Sequence, residues 1–375
     1  MQDYEYLIHL IYCAVNETVP DEKPEEVSFK KVFLLGKAHE VANIAFLSVE
    51  RLKQKPEPAL YNEWKIYYYF SVERDSRQTE EREAVVSAMH DNGIRTLEAQ
   101  GTVTKTLYPS PELRMMSDID FIIDFDKLGE AMEIMRSLGY EVSQKQPVEF
   151  DAVKDGRLVE FHTVFFTDSM YNRKERYSSA LNEPFSHAEP SDGDALSYYL
   201  NDTYFYLFSV LHIIKHFETA GCGIRRVLDL YYLKKAFCDK YDKAVFDSVI
   251  DSGGFSDSCE KLFAVEEMWF EGAEPEIDLS EAVSDIVRSG NHGTSGIFTR
   301  NNVRKDEREG IRFPRLKRIF GFIFPDREYI LINYHEFEER GYSTFKCRML
   351  RILDKLRKMN FSHAVAHIKE ILKSR

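Results

Sequence analysis

Asp118 and Asp120 stand one residue apart in "LRMMSDIDFIID", residues 113–124, at the mouth of an apolar run. On a strand, residues two apart point to the same side, so these carboxylates can offer oxygens to one divalent cation or lie as solvated charges at the strand's start. Acid-x-acid pairs mean nothing alone in a chain with 63 acidic residues among 375. The surrounding alternation is more informative. Asp118, Asp120 and Ile122 share one face, and Ile119, Phe121 and Ile123 the other, which reads as a buried strand. Such a strand tolerates two carboxylates on one covered face only where a cation or hydrogen bonds compensate them. A metal site and an exposed pair both remain open on this evidence.

A third carboxylate follows in "RLVEFHTVF", where Glu160 and His162 share a face opposite Val159, Phe161 and Thr163. Asp155-Gly156 joins this run to "VEFDAVK" and marks a hairpin. If the Glu160 strand lies beside the Asp118 strand, three carboxylates converge on one cleft, which we expect at the open edge of a mixed sheet.

The elements around these strands follow from periodicity and punctuation. "IRTLEAQG" (94–101) reads as a short strand, "TVTKTLY" as a helix start, and "PSPELR" as a loop into the Asp118 strand. Residues 126–138 read as an amphipathic helix capped by Asp126 and stopped by Gly139. Upstream, residues 28–52 read as one helix with Ser28 as N-cap, ended by Pro56 and Pro58, and a long helix runs from Asn62 to Met89 up to "DNG". The resulting fold class is α/β (α+β), a small mixed sheet flanked by helical regions. Its expected divisions are 1–92 (helical), 93–190 (α/β core), 191–290 (helical) and 291–375 (basic, helical, packing on the cleft).

This pattern of strand, glycine, helix, a strand carrying D-x-D and a later strand carrying a third acid resembles the polymerase-β-like nucleotidyltransferase superfamily. Within it the chain resembles an uncharacterised bacterial nucleotidyltransferase family, whose members read K-G, then Y-P, then R-x-x-x-D-I-D-L-L-V, then V-E-L-H. The matching residues are Gln100-Gly101, Tyr108-Pro109, Arg114 with "SDIDFII", and "VEFH" at 159–162. "AHEVANIAFLSVERL", "LHIIKHF...GIRRVLDLYYL" (211–233) and "RIFGFIFPDREYILINY" (318–334) resemble the family's N-terminal helix, helical region and C-terminal F-P element. The chain departs from the pattern in having Gln100 for the lysine and Gly101-Thr102 where the superfamily has Gly followed by Gly or Ser.

The resemblance implies transfer of a nucleoside monophosphate, AMP from ATP foremost, to a hydroxyl of an unidentified small molecule, RNA or protein. Charge builds at the α-phosphorus in such a reaction, and two Mg²⁺ ions neutralise it through oxygen ligands. Asp118, Asp120 and Glu160 then hold the metal, and Glu160 can accept the proton of the incoming hydroxyl. Gly101 lets phosphate oxygens reach backbone N–H groups. Thr102 supplies a hydroxyl, Lys105 replaces the missing lysine, and Arg114 and Ser117 contact phosphates, although Arg114 can equally bridge to the acid cluster. A different class of function is a nucleotide-binding or partner-binding module that keeps the fold with little catalysis.

Other features have plainer readings. His212 and His216 share a helix face, but no Glu follows His212 and no third ligand is near, so with His162 they are assigned to the acceptor side of the cleft or to the core rather than to zinc. Asp229 is expected to pair with Arg225 or Arg226. "SGNHGTSG" (289–296) reads as a flexible linker and "WKIYYYF" (64–70) as core. Five scattered cysteines without a CxxC spacing suggest reduced, mostly buried thiols. The net charge is −13, yet residues 300–375 hold 19 Lys and Arg against 10 Asp and Glu. That basic segment offers a nucleic-acid or anion surface, or a solvated face packed on an acidic body, while overall acidity disfavours wholesale duplex binding. An acidic N-terminus and a short apolar stretch broken by His9 predict neither signal peptide nor membrane span, hence a cytoplasmic protein.

Overall fold

The computed structural model describes residues 1–98, 100–166, 181, 183–324, 340–343, 345–350 and 372. Part of the element at 318–334, and most of the basic segment beyond 350, lie outside the described residues.

Two N-terminal helices, α1 (Asp3–Val15) and α2 (Phe29–Ala38), precede α3 (Ala42–Val49). Ser28 caps α2 through its side chain, as expected. The single helix expected over 28–52 is instead broken at Glu40, which adopts φ 55°. The break has a tertiary cause. His39 is buried, with Nδ1 accepting from the Ile224 amide at 3.1 Å and Nε2 facing the Val287 carbonyl at 3.1 Å. Burial pushes the pKa of this imidazole down to about 4, so it is neutral and uses both nitrogens. Gly36 permits the corner, because a Cβ there would lie 3.1 Å from Ala42.

The long helix α4 (Pro58–Asp91) begins with Pro58 in its first turn and is followed by Gly93, whose φ is 70°. Trp64 is fully buried and donates to the Ala42 carbonyl at 2.6 Å, whereas Ile66, Tyr69 and Phe70 of the same aromatic stretch are exposed.

Seven strands form one mixed sheet in the order β3-β4-β5-β2-β1-β7-β6: β1 (Thr96–Glu98), β2 (Asp118–Ile122), β3 (Glu141–Gln146), β4 (Glu149–Lys154), β5 (Arg157–His162), β6 (Ala188–Ser191) and β7 (Asp194–Leu200). The short α5 (Gly101–Thr104) follows β1, and α6 (Leu128–Ser137) follows β2. The expected hairpin is present: Asp155 and Gly156 both have positive φ, 50° and 75°, as a two-residue turn of this hand requires. Asp126 is not the cap expected of it. A 3-10 turn, Phe125–Lys127, precedes α6, with Asp124 at its start and paired with Arg95 at 2.7 Å.

The expected boundary at 190 cuts through β6, since β7 pairs in parallel with β1, Leu97 opposite Tyr198. The helical part resumes with α7 (Asp202–Glu218), α8 (Ile224–Phe237), α9 (Lys243–Ser252), α10 (Ser256–Glu266), α11 (Ser280–Ser289), α12 (Ser295–Arg308) and α13 (Pro314–Ile323). Among the described residues no helix is long and apolar enough to cross a membrane. Residues 289–292 do not behave as a linker: Ser289 and Asn291 are buried, and Asn291 donates to Glu40 at 2.8 Å.

The pleat divides the sheet into two faces. Ile119, Phe121, Val159 and Phe161 are buried on the back, with Phe150, Val85 and Met89 of α4, and Ala131 and Met135 of α6. Phe161 stacks between Phe121 at 5.5 Å and Phe150 at 4.7 Å. The front face is left to the polar residues of β2 and β5.

Candidate active site

On that front face Asp118, Asp120, Glu160 and His162 line one cleft of about 310 Å³. β2 and β5 are adjacent and parallel, with Asp120 directly opposite Glu160 and Ile122 opposite His162. The three carboxylates therefore come together in the middle of the sheet rather than at its open edge, because β1 and β7 extend the sheet beyond β2. Asp120, Glu160 and His162 each offer a ligand atom within 4.8 Å of the other two. Carboxylate oxygens beside an imidazole are a donor set that suits a divalent cation.

The electrostatics are those of crowded like charges. Burial, then Asp120 and Glu160, push Asp118 up to about 6, against the pull of Arg225 and Arg226. Burial opposes a charged His162, but its contacts with Asp120, Glu149 and Glu160 outweigh that and hold its pKa well above the ordinary histidine value. Nε2 of His162 lies 3.4 Å from Asp120 Oδ1 and 3.6 Å from Glu160 Oε2, while Nδ1 faces Glu149 Oε2 at 3.4 Å.

Helices α7 and α8 close the cleft opposite the acids. His212, Lys215 and His216 come from α7, Arg225 and Arg226 from α8, and Asn291 and His292 from the segment after α11. His212 and His216 contact each other through Nε2 at 3.1 Å, and burial holds both far below the ordinary histidine range. Burial and Arg226 lower Lys215, which Glu149, Asp120 and Glu160 partly restore. Arg225 pairs with Glu40 and donates to the Met115 carbonyl. Arg226 has no hydrogen bond from its Nε, and no ion pair among the described residues. Burial and Arg225 depress it to about 10, so it stays charged at neutral pH. The sequence reading assigned Lys215 no role, and Arg225 and Arg226 only that of partners for Asp229. Their local signal is that Lys215 follows the apolar Ile213 and Ile214, and Arg225-Arg226 lies between the apolar Ile224 and Val227.

The expected phosphate ligands divide. Gly101, Arg114 and Ser117 line the cleft; Thr102 and Lys105 are not among its lining residues. Lys105 is buried against Asp75 at 2.9 Å and Thr79 at 3.2 Å, so its ammonium is already committed. Thr102 is buried, with an Oγ1 that has no hydrogen-bond partner among the described residues. Gly101 lies close to two side chains: a Cβ there would sit 2.6 Å from Met116 Sδ and 3.1 Å from Arg114 Nη1, so one of them would have to shift. Arg114 pairs neither with the acid cluster nor through water-exposed contacts; it holds Asp229 in two bonds of 2.7 and 2.9 Å, and Tyr108 donates to the same carboxylate at 2.7 Å. Asp229 thus pairs with Arg114, not with Arg225 or Arg226, because α8 turns it toward the loop before β2.

A larger groove of about 800 Å³ lies between α1 and α11, lined by Ile8, Trp269, Ile277 and Leu279. Among the described residues it gathers no comparable set of cation ligands.

Comparison with known proteins adds an independent line. No curated protein matches the chain. Among solved structures, that of an antibiotic-resistance factor, ANT(2'')-Ia, determined in solution, is a distant likeness: 10% identity over 52% of this chain and 97% of that one, with a TM-score of 0.34. A model of an uncharacterised nucleotidyltransferase family matches residues 25–271, which include β1 to β7, α7 and α8 and so both walls of the cleft. With more than half its length matched, the chain belongs to that uncharacterised nucleotidyltransferase family.

Proposed function

We propose that the chain transfers a nucleoside monophosphate, AMP from ATP foremost, to a hydroxyl of its acceptor, with Mg²⁺ the first divalent ion to test. One observation carries this reading: Asp118 and Asp120 on β2 lie beside Glu160 on β5 in a cleft whose opposite wall is cationic. A bound divalent cation supplies neutralisation of the charge that develops at the α-phosphorus. Asp118, Asp120 and Glu160 would hold it. Lys215 and Arg226 present positive charge for phosphate oxygens, and Arg226 has a hydrogen-bonding group to spare. Gly101 and Ser117 stand at the same cleft and offer a close backbone approach and a hydroxyl. In this reading Glu160 also takes the proton of the incoming hydroxyl, and His212 and His216, kept neutral, serve the acceptor side.

The test is incubation of the protein with Mg²⁺, cell extract and each labelled nucleoside triphosphate, followed by separation of small molecules, RNA and protein. Label from ATP is expected in one fraction and should vanish with Asp118→Asn plus Asp120→Asn, or with Glu160→Gln. Undiminished labelling by those variants would overturn the assignment of these residues. Binding of ATP without transfer of any nucleotide would instead favour a nucleotide-binding module.

A further inference from the structure

His162 touches both carboxylates that face each other across β2 and β5, and its environment fixes which nitrogen does so. Glu149, from the neighbouring β4, lies opposite His162 in the antiparallel register and receives Nδ1 at 3.4 Å. Nε2 is thereby turned to Asp120 Oδ1 at 3.4 Å and Glu160 Oε2 at 3.6 Å. Ligands at right angles around a cation, with bonds of about 2.2 Å, lie about 3.1 Å apart, so these separations need only a small contraction. An imidazole whose far nitrogen is held by a carboxylate is the usual arrangement of a histidine that binds metal, because that bond fixes the ring, and a cation at Nε2 takes the place of the proton that the carboxylates hold there. Val159 and Phe161, packed on the back face, keep the strand from turning His162 away.

We infer that His162 is itself a ligand of the cation held by Asp120 and Glu160, with Glu149 as its positioning residue, and that this mixed nitrogen and oxygen site takes Mn²⁺ in preference to Mg²⁺. The inference rests on the reading of the cleft as a cation site. Mg²⁺ demands oxygen donors in near-ideal octahedral array, whereas first-row transition cations accept imidazole nitrogen readily. Asp118 is not one of that group of mutually close ligand atoms.

The test needs no nucleotide. Mn²⁺ is titrated into the full-length protein and followed by electron paramagnetic resonance, with Mg²⁺ as competitor, and the bound ion is examined for spin-echo modulation by a directly bonded nitrogen. The wild type should show that modulation and bind Mn²⁺ more tightly than Mg²⁺. His162→Ala should lose the modulation and bind Mn²⁺ about 10- to 100-fold more weakly, and Glu149→Gln should weaken binding while keeping the modulation. His162→Asp should restore cation binding through oxygen but lose the preference for Mn²⁺. Absence of nitrogen modulation in the wild type, or its persistence in His162→Ala, overturns the inference, and the wild-type spectrum decides even where a variant fails to fold. Mg²⁺-supported transfer without nitrogen coupling would remove only this inference. Nitrogen coupling without transfer from any nucleotide would remove only the proposed function.

Discussion

Asp118 is where cation binding and stability meet. In the unfolded chain its carboxyl titrates in the ordinary range, and in the folded protein at about 6. Between those values the folded state holds a proton that the unfolded state has lost, so stability is greatest below the ordinary carboxylate range and falls as pH rises through about 6. Asp118→Asn removes this dependence. In EDTA the variant should be more stable than wild type by about 1 kcal/mol above about pH 7, the figure allowing for solvent screening at a partly exposed group, and the advantage should disappear below about pH 4. Thermal melts of both proteins across that range check it. A variant less stable at neutral pH would mean that the carboxylate is held by hydrogen bonds instead of repelled by its neighbours.

Helix α8 is tied to the loop before β2 by a buried ion pair, Arg114 with Asp229, to which Tyr108 adds a hydroxyl. Burial alone would raise Asp229, but Arg114 outweighs it and holds the carboxyl below its ordinary range. Asp229→Asn leaves the guanidinium buried without its charge, so a loss of about 3–5 kcal/mol is expected in denaturant unfolding at neutral pH. A change within about 0.5 kcal/mol would show that the pair is dispensable. The contrast between these elements explains what could be read in advance. The Asp155-Gly156 hairpin and the shared face of Asp118 and Asp120 are local properties of turn chemistry and pleat, and they were legible in the sequence. The break at Glu40 was not, because the contacts that hold His39 are to residues 185 and 248 positions away. Lys215 and Arg226 read as helix residues for the same reason: only the docking of α7 and α8 on the sheet brings them to the acids. β7, whose "DALSYYL" also admits a helix, depends on its partner β1.

Across the whole molecule the cleft is assembled from four distant stretches, and Glu40 joins two of them. Its carboxylate meets Arg225 of α8, Asn291 at 2.8 Å and His292 at 3.9 Å, while its own backbone sits at a φ that non-glycine residues seldom adopt. Glu40→Gln should lower stability by about 1–3 kcal/mol and weaken stabilisation of the protein by ATP with Mg²⁺, since Arg225 and Asn291 lose a common anchor. Thermal shift with and without nucleotide measures both, and wild-type values in each would sink the idea. The pairing of β2 with β5 carries a different consequence. A strand repeats every two residues, so a slip of one position would turn Ile119 and Phe121 into the cleft and drive both aspartates into the layer occupied by Phe150 and Phe161. No chain mispaired at that seam can bind its substrate, and none can bury its aromatic layer. Turnover per molecule is therefore a measure of folding fidelity, and the active fraction of any preparation counts the chains whose two central strands met in register.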